Sequence, residues 1–355
     1  VIAAPRALGA VLAGAALLAG APAASAASRT ATLEGWDDSV AAFSGRAVIV
    51  AEAAAVRVDP RNVPGAPAGA APFVYYRHET ARLGLNPART RFAGDPVTLV
   101  SVRESIAGMG PGLLSPAATR GFVVVPSGRL LAPPVIWCCQ RDVEVVLESD
   151  GRPDAPVALA AAEDGPVVRF LLAFPDGHRE LVSSSPASPG ARASRTVAAP
   201  AGPGLVALAP GLLAQVDPAA PSLLAVSAVD ASGTVAAPAT VALPGRAIRI
   251  WAARGLVAAA VRAGGRVRLV RWSGGGRART VWSGATVPRV SVGGGAVAVG
   301  ERRRVLASRR GPLRQVARTR GPVAAVAVDG RRVAWLERLT RRGARVTVAR
   351  LGSTP

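Results

Sequence analysis

The chain has 355 residues, a formal net charge of +21, 39 Gly, 30 Pro, two Cys and no Lys, so all 43 basic residues are Arg. The absence of lysine excludes Schiff-base catalysis by a lysine amine and nucleotide binding by a G-x-x-x-x-G-K-[ST] loop. Half of the residues are hydrophobic and 4% aromatic, and the length suffices for one large or two ordinary domains.

Arg6 is the only charged residue among the first 28. It precedes an apolar run from Leu8 to Gly20, then Pro22 and the triplet Ala24-Ser25-Ala26. That is the order of a secretory signal peptide, and the run is shorter than the ~20 residues a membrane-spanning helix needs. Residues 1–26 are therefore expected to direct export and to be removed after Ala26, leaving a secreted or extracytoplasmic chain. No later stretch is long and apolar enough to span a membrane as a helix.

From Val40 onward short alternating apolar runs are broken by Gly, Pro and Asp-Gly turns, and no long segment keeps a helical period. "VAAFSGRAVIVAE" (40–52), "IRIWAARGLVAAAV" (248–261), "VSVGGGAVAVGE" (290–301) and "VAVDGRRVAWLE" (326–337) each read as strand, glycine turn, strand. Gly45, Gly121, Gly165, Gly211, Gly255, Gly295 and Gly330 mark these turns; after a first interval of 76 they recur every 35 to 46 residues. Several strands per unit at this period predict propeller blades. The long first interval holds "VPGAPAGAAP" (63–72), so a loop insertion at about 60–72 is expected rather than an eighth blade. The last unit supplies three strands, and Ser28–Trp36 is expected to add the outer fourth and close the ring. The prediction is an all-β, antiparallel propeller of about seven blades, one domain over residues 27–355. Two stacked β-sandwich domains are the competing architecture. From Trp36 to Leu351 the chain resembles divergent β-propeller repeat proteins exported by bacteria; the shared motif is strand, glycine turn, strand, and it implies a fold without an activity.

Charge is unevenly placed. Residues 246–355 carry 25 Arg against Glu301, Asp329 and Glu337, whereas the preceding 245 residues hold 18 Arg and 19 carboxylates. Runs occur at Arg302-Arg303-Arg304, Arg309-Arg310, Arg331-Arg332 and Arg341-Arg342, and they are expected to project along one side of the ring. Such a field attracts polyanions in a salt-dependent way: wall polymers, anionic lipid headgroups, acidic polysaccharides or released DNA. No recognition helix or stacking platform for reading a nucleic-acid sequence is visible.

The two cysteines, Cys138 and Cys139, are adjacent in "VIWCCQ". In an oxidising compartment they could form a strained vicinal disulfide, remain as two buried thiols, or bridge two molecules. Trp137-Cys138-Cys139 is similar to the adjacent-cysteine triplet of quinone-dependent alcohol dehydrogenases, but that family's repeated tryptophan docking motifs are missing, and no cofactor is expected. Metal binding is not expected either. His78 in "VYYRHE" and His178 in "FPDGHREL" are the only histidines, and "ESDGRPD" (148–154) misses the calcium-loop spacing. The first expectation is thus a monomeric binding module at the cell envelope that takes an anionic polymer, wall component or protein on its arginines. The alternative is an extracellular hydrolase or lyase that uses carboxylates at the ring axis on a polysaccharide. No catalytic residue is assigned.

Overall fold

Alternating Ala, Val and Leu between glycine turns pleats the chain into β-hairpins, since branched and small apolar side chains suit a half-buried pleated surface and glycine suits the turn. A computed structural model describes residues 27–31, 38–44, 47–58, 73–86, 92–93, 97–104, 113–117, 121–125, 157–164, 167–174, 176–185, 188–198, 204–339 and 344–351. They form β1 (Ala27–Ala31) and seven successive antiparallel sheets. Blade 1 holds β2 (Asp38–Ser44), β3 (Ala47–Val58), β4 (Phe73–Gly84) and β5 (Val97–Glu104). Blade 2 has β6 (Leu113–Ala117) and β7 (Gly121–Val125). Blade 3 has β8 (Val157–Asp164), β9 (Val167–Ala173), β10 (Arg179–Ser185) and β11 (Ser188–Val197). Blade 4 has β12 (Leu205–Ala209), β13 (Leu212–Val216), β14 (Leu223–Ala228) and β15 (Ala239–Ala242). Blade 5 has β16 (Arg246–Ala253), β17 (Leu256–Ala263), β18 (Arg266–Trp272) and β19 (Arg279–Gly284). Blade 6 has β20 (Arg289–Gly293), β21 (Ala296–Glu301), β22 (Arg304–Ser308) and β23 (Arg314–Arg318). Blade 7 has β24 (Val323–Asp329), β25 (Arg332–Arg338) and β26 (Ala344–Arg350).

The first strands of the blades, β2, β6, β8, β12, β16, β20 and β24, neighbour one another in that order, and β24 in turn neighbours β2. That cycle is the ring expected from the sequence. Its closure is also as expected. β1 is the outermost strand of blade 7, in the order β1-β26-β25-β24, with Ala27 opposite Val348 and Ala31 opposite Ala344. The glycines read as markers fall at the turn between first and second strands: Gly211, Gly255, Gly295 and Gly330 have φ of 70°, 66°, 73° and 59°, the left-handed region that favours glycine. Residues 59–72 connect the paired strands β3 and β4 and lie outside the described residues, as do 1–26, Cys138, Cys139, Arg341, Arg342 and the acidic segment 148–154.

Apolar layers lie between consecutive blades. The second strand of a blade faces a neighbour on both sides, so β17 (LVAAAVRA) buries its first six residues in a row and β21 (AVAVGE) its first five. Alanine and valine at these positions let adjacent sheets approach closely, which explains a core with few aromatic rings. Leu256, Ala258 and Leu269 of blade 5 pack on Val297 and Val299 of blade 6. Ala41, Phe43, Val48 and Val50 of blade 1 share one layer with Ala334, Leu336, Val346 and Val348 of blade 7. The ends of the chain are therefore joined by apolar burial as well as by the β1 ladder. A fully buried leucine such as Leu256 or Leu336 contributes about 1.5–3 kcal/mol.

Candidate functional site: the arginine-rich blades

Within a blade the strands run alternately up and down, so successive turns lie at opposite ends of the ring. Turns between first and second strands, and between third and fourth, share one end. Turns between second and third strands share the other end with the connections to the next blade. This topology separates the arginine runs. Arg302 and Arg303 form the turn between β21 and β22, whereas Arg309 and Arg310 lie in the turn between β22 and β23, at the opposite end. Arg331, in the turn between β24 and β25, shares the end of Arg309 and Arg310. The expectation that the runs share one side of the ring is therefore corrected. Adjacency in sequence did not reveal which end a turn occupies; the strand count between the runs did.

The runs also differ in availability. Arg302, Arg303, Arg309, Arg310 and Arg331 are exposed. Arg304 pairs with Glu301 at 2.8 Å. Arg332 is half-buried, pairs with Asp329, and lies over the Phe43 ring of blade 1 at 4.8 Å. It joins the last blade to the first and does not project into solvent. Arg302 is the only described non-glycine residue with positive φ, 49°. Its carbonyl accepts Val323 N–H at 2.7 Å, and the Arg303 carbonyl accepts Thr319 N–H at 2.8 Å. These bonds, one to the first residue of blade 7 and one to the connection that leads into it, hold a turn conformation that the corresponding blade 5 turn fills with Gly264 and Gly265.

Some arginines are used inside the architecture. Arg169, 3% exposed, donates from blade 3 to the Asp230 and Ala231 carbonyls of blade 4 at 2.9 and 2.7 Å. Arg179 donates to Gln215 Oε1 at 3.0 Å; burial lowers its proton affinity and Asp217 partly opposes that. Arg271 of blade 5 donates to the carbonyls of Arg309 and, at 3.0 Å, Gly295 in blade 6, and burial with nearby Arg310 lowers its proton affinity. A forked guanidinium can bridge two carbonyls, which a lysine ammonium does less well. Sequence reading gave no sign of these inter-blade clips.

A groove of about 200 Å³ opens between blades 6 and 7 and was also missed. Its lining joins Arg318, Thr319 and Arg320 at the end of blade 6 to Trp335, Glu337, Arg345 and Thr347 on β25 and β26. Glu337 is 4% exposed and its Oε1 accepts Gly321 N–H at 2.6 Å. The only signal available beforehand was the register pair Glu337 and Arg345, which needs the β25–β26 hairpin to be known.

The histidines occupy separate blades. His78 stands on β4 opposite Ala53 and Val102. His178 stacks on Phe174 at 4.1 Å, with Nδ1 2.5 Å from Asp176 Oδ1 and Nε2 3.5 Å from Glu180 Oε1. The His178 backbone N–H and ring hold the Asp176 carboxyl below its usual range. This cluster shapes the β9–β10 turn. Among the described residues no three His, Cys, Asp or Glu side chains come together as a metal site would require. No helix among them is long and apolar enough to cross a membrane.

No protein-family model matches the chain, and no curated protein matches it in sequence. Among solved structures it is similar to a chain of a mitotic checkpoint complex, at 12% identity and a TM-score of 0.52, covering 99% of this chain and 97% of that one. It also aligns with a chain of a nidogen/laminin complex, at 11% identity and a TM-score of 0.36 over 73% of this chain and 82% of that one. A puromycin-hydrolysing peptidase of Mycobacterium tuberculosis aligns at 17% identity and a TM-score of 0.46, over 87% of this chain and 49% of that one. At such identities the likeness concerns shape, and only the first carries weight. Strand order and that likeness together make the chain a β-propeller.

Proposed function

We propose that this propeller is exported to the cell envelope and acts there as a binding module for an anionic polymer, wall component or protein, engaged through the arginines of blades 5 to 7. One observation carries the reading. From Arg246 onward 25 arginines face three carboxylates, and each of those three already has a partner: Glu301 with Arg304, Asp329 with Arg332, and Glu337 with Gly321 N–H. The excess charge cannot be neutralised within these blades. It sits at both ends of the ring, so a long flexible polyanion suits it better than a small flat partner. Mobile ions or a polyanion must supply the counter-charge, and release of mobile ions favours the polyanion.

Export is supported by the position of β1. Cleavage after Ala26 would keep Ala27–Ala31, which pair with β26 and close the ring, in the mature chain. The test is retention of the chain without residues 1–26 on an immobilised acidic polysaccharide. Retention at ~50 mM salt and release by ~1 M, where screening acts within about 3 Å, is the expected result. Replacing Arg302, Arg303, Arg309 and Arg310 together by Ala should advance elution to clearly lower salt. No retention at low salt would remove the proposal.

A further inference from the structure

The groove between blades 6 and 7 combines features that a general positive field does not require. One wall is the end of β23 and the connection after it, with Arg318 and Arg320 exposed and Thr319 buried. The other is the β25–β26 hairpin, with Glu337 and Thr347 at 4% and 5% exposure and Arg345 half-buried. Trp335, 4% exposed, completes the lining, and its indole Nε1 has no hydrogen-bond partner among the described residues. A buried donor left unmet is rare and points to an acceptor from outside the chain.

The donor and acceptor set narrows the ligand class. Three guanidinium groups suit an anionic oxygen pair. A site for phosphate or sulfate alone would contain donors only, and the Glu337 carboxylate would repel a dense polyanion. Glu337 instead calls for a ligand that also donates hydrogen bonds. An acidic peptide brings its carboxylate on a flexible aliphatic stem, and its remaining donors are backbone N–H groups at the far end of that stem. A sugar acid carries a carboxylate and hydroxyl donors on one compact ring. The volume agrees: about 200 Å³ falls below the ~300–1,000 Å³ of drug-sized pockets, which gives room for one residue of a polymer whose neighbours lie outside the groove. The Arg302-Arg303 turn is bonded through its carbonyls to Val323 and Thr319, and so it flanks the groove where a neighbouring residue of the same polymer would lie.

We infer that the blade 6–blade 7 groove binds a uronic-acid residue of an acidic polysaccharide, with Arg318, Arg320 and Arg345 on its carboxylate and Glu337 accepting from its ring hydroxyls. A ring oxygen meets the Trp335 indole N–H after a small shift of that ring. This deepens the anionic-polymer reading and rests on it.

The experiment is calorimetric titration of the chain with a galacturonic acid hexamer and, separately, a glutamic acid hexamer. The uronate should bind at least about tenfold tighter, and Arg345→Ala should weaken it about tenfold. The double variant Arg318→Ala/Arg320→Ala alters exposed side chains only and should weaken it similarly, which guards against a folding defect in the Arg345 variant. Glu337→Gln should reduce the preference for uronate over glutamate. In protein labelled with ¹⁵N-tryptophan, the indole signal that Trp335→Phe removes should shift on adding the uronate. Equal binding of the two hexamers would overturn the groove assignment. So would uronate binding that survives both groove variants but falls in Arg309→Ala/Arg310→Ala; the general charge reading would then stand alone. No binding of either hexamer at low salt would remove both.

Discussion

Two glycine-to-alanine substitutions separate crowding from backbone strain and so test the packing of the inner ring. Gly293 ends β20, and a Cβ added there would stand 2.2 Å from the Val328 carbonyl oxygen of blade 7, with that carbonyl's carbon at 3.3 Å. Ordinary contact begins near 3.4 Å, so one of two packed strands must retreat by about 1.2 Å. The obstacle is backbone, which cannot rotate aside as a side chain could. The Gly330 N–H to Gly293 carbonyl bond, already 3.3 Å long, would be stretched further. Overpacking of this kind costs about 2–3 kcal/mol. Gly255 differs: its φ is 66° and an added Cβ meets nothing within 4 Å. Ala there incurs the left-handed penalty of about 1–2 kcal/mol, partly offset by the lower entropy of the unfolded chain, for a net of about 1 kcal/mol. With a urea m-value near 3 kcal/mol/M, typical of larger domains, the midpoints should fall by about 0.7–1 M for Gly293→Ala and about 0.3 M for Gly255→Ala. Equal losses, or a smaller loss for Gly293→Ala, would refute the close approach of β20 and β24 on which the ring description depends.

Four further outcomes follow from the same structure. Arg169→Met should destabilise by about 2–4 kcal/mol in urea, because two charge-assisted bonds between blades 3 and 4 are lost. Arg302→Gly should leave stability unchanged or raise it by up to about 1 kcal/mol, since glycine accepts the 49° φ without strain while gaining unfolded-state entropy. Deleting Ala27–Ala31 should expose the edge of β26 and produce concentration-dependent aggregation in light scattering, where the intact chain stays dispersed. The Asp230 carboxylate accepts from Ser232 Oγ at 2.7 Å and Thr234 N–H at 2.8 Å, which lowers its folded pKa below 3.8. Its contribution is therefore fully present above that value and lost as pH falls through the folded pKa, so the urea-midpoint gap between wild type and Asp230→Asn should close below pH ~4.

Local chemistry is what the sequence states openly. Strand alternation, and turn glycines such as Gly211, Gly255, Gly295 and Gly330, depend on nearest-neighbour sterics, so an all-β ring of about seven blades could be read without coordinates. Even closure by the first strand was legible, because three strands at the chain's end leave an edge that needs a fourth. The total charge and its concentration after Arg246 are likewise properties of composition. Which end of the ring each arginine occupies is decided by strand direction, which reverses at every turn and so separates Arg302-Arg303 from Arg309-Arg310. Contacts between blades were equally hidden. Arg169 reaches residues 61 and 62 positions away, and Arg318 meets Arg345 across a groove only because the sheets stack in a ring. Sequence periodicity reports which face a side chain takes on its own sheet; what that face meets is set by the neighbouring blade, and only the closed tertiary structure supplies it.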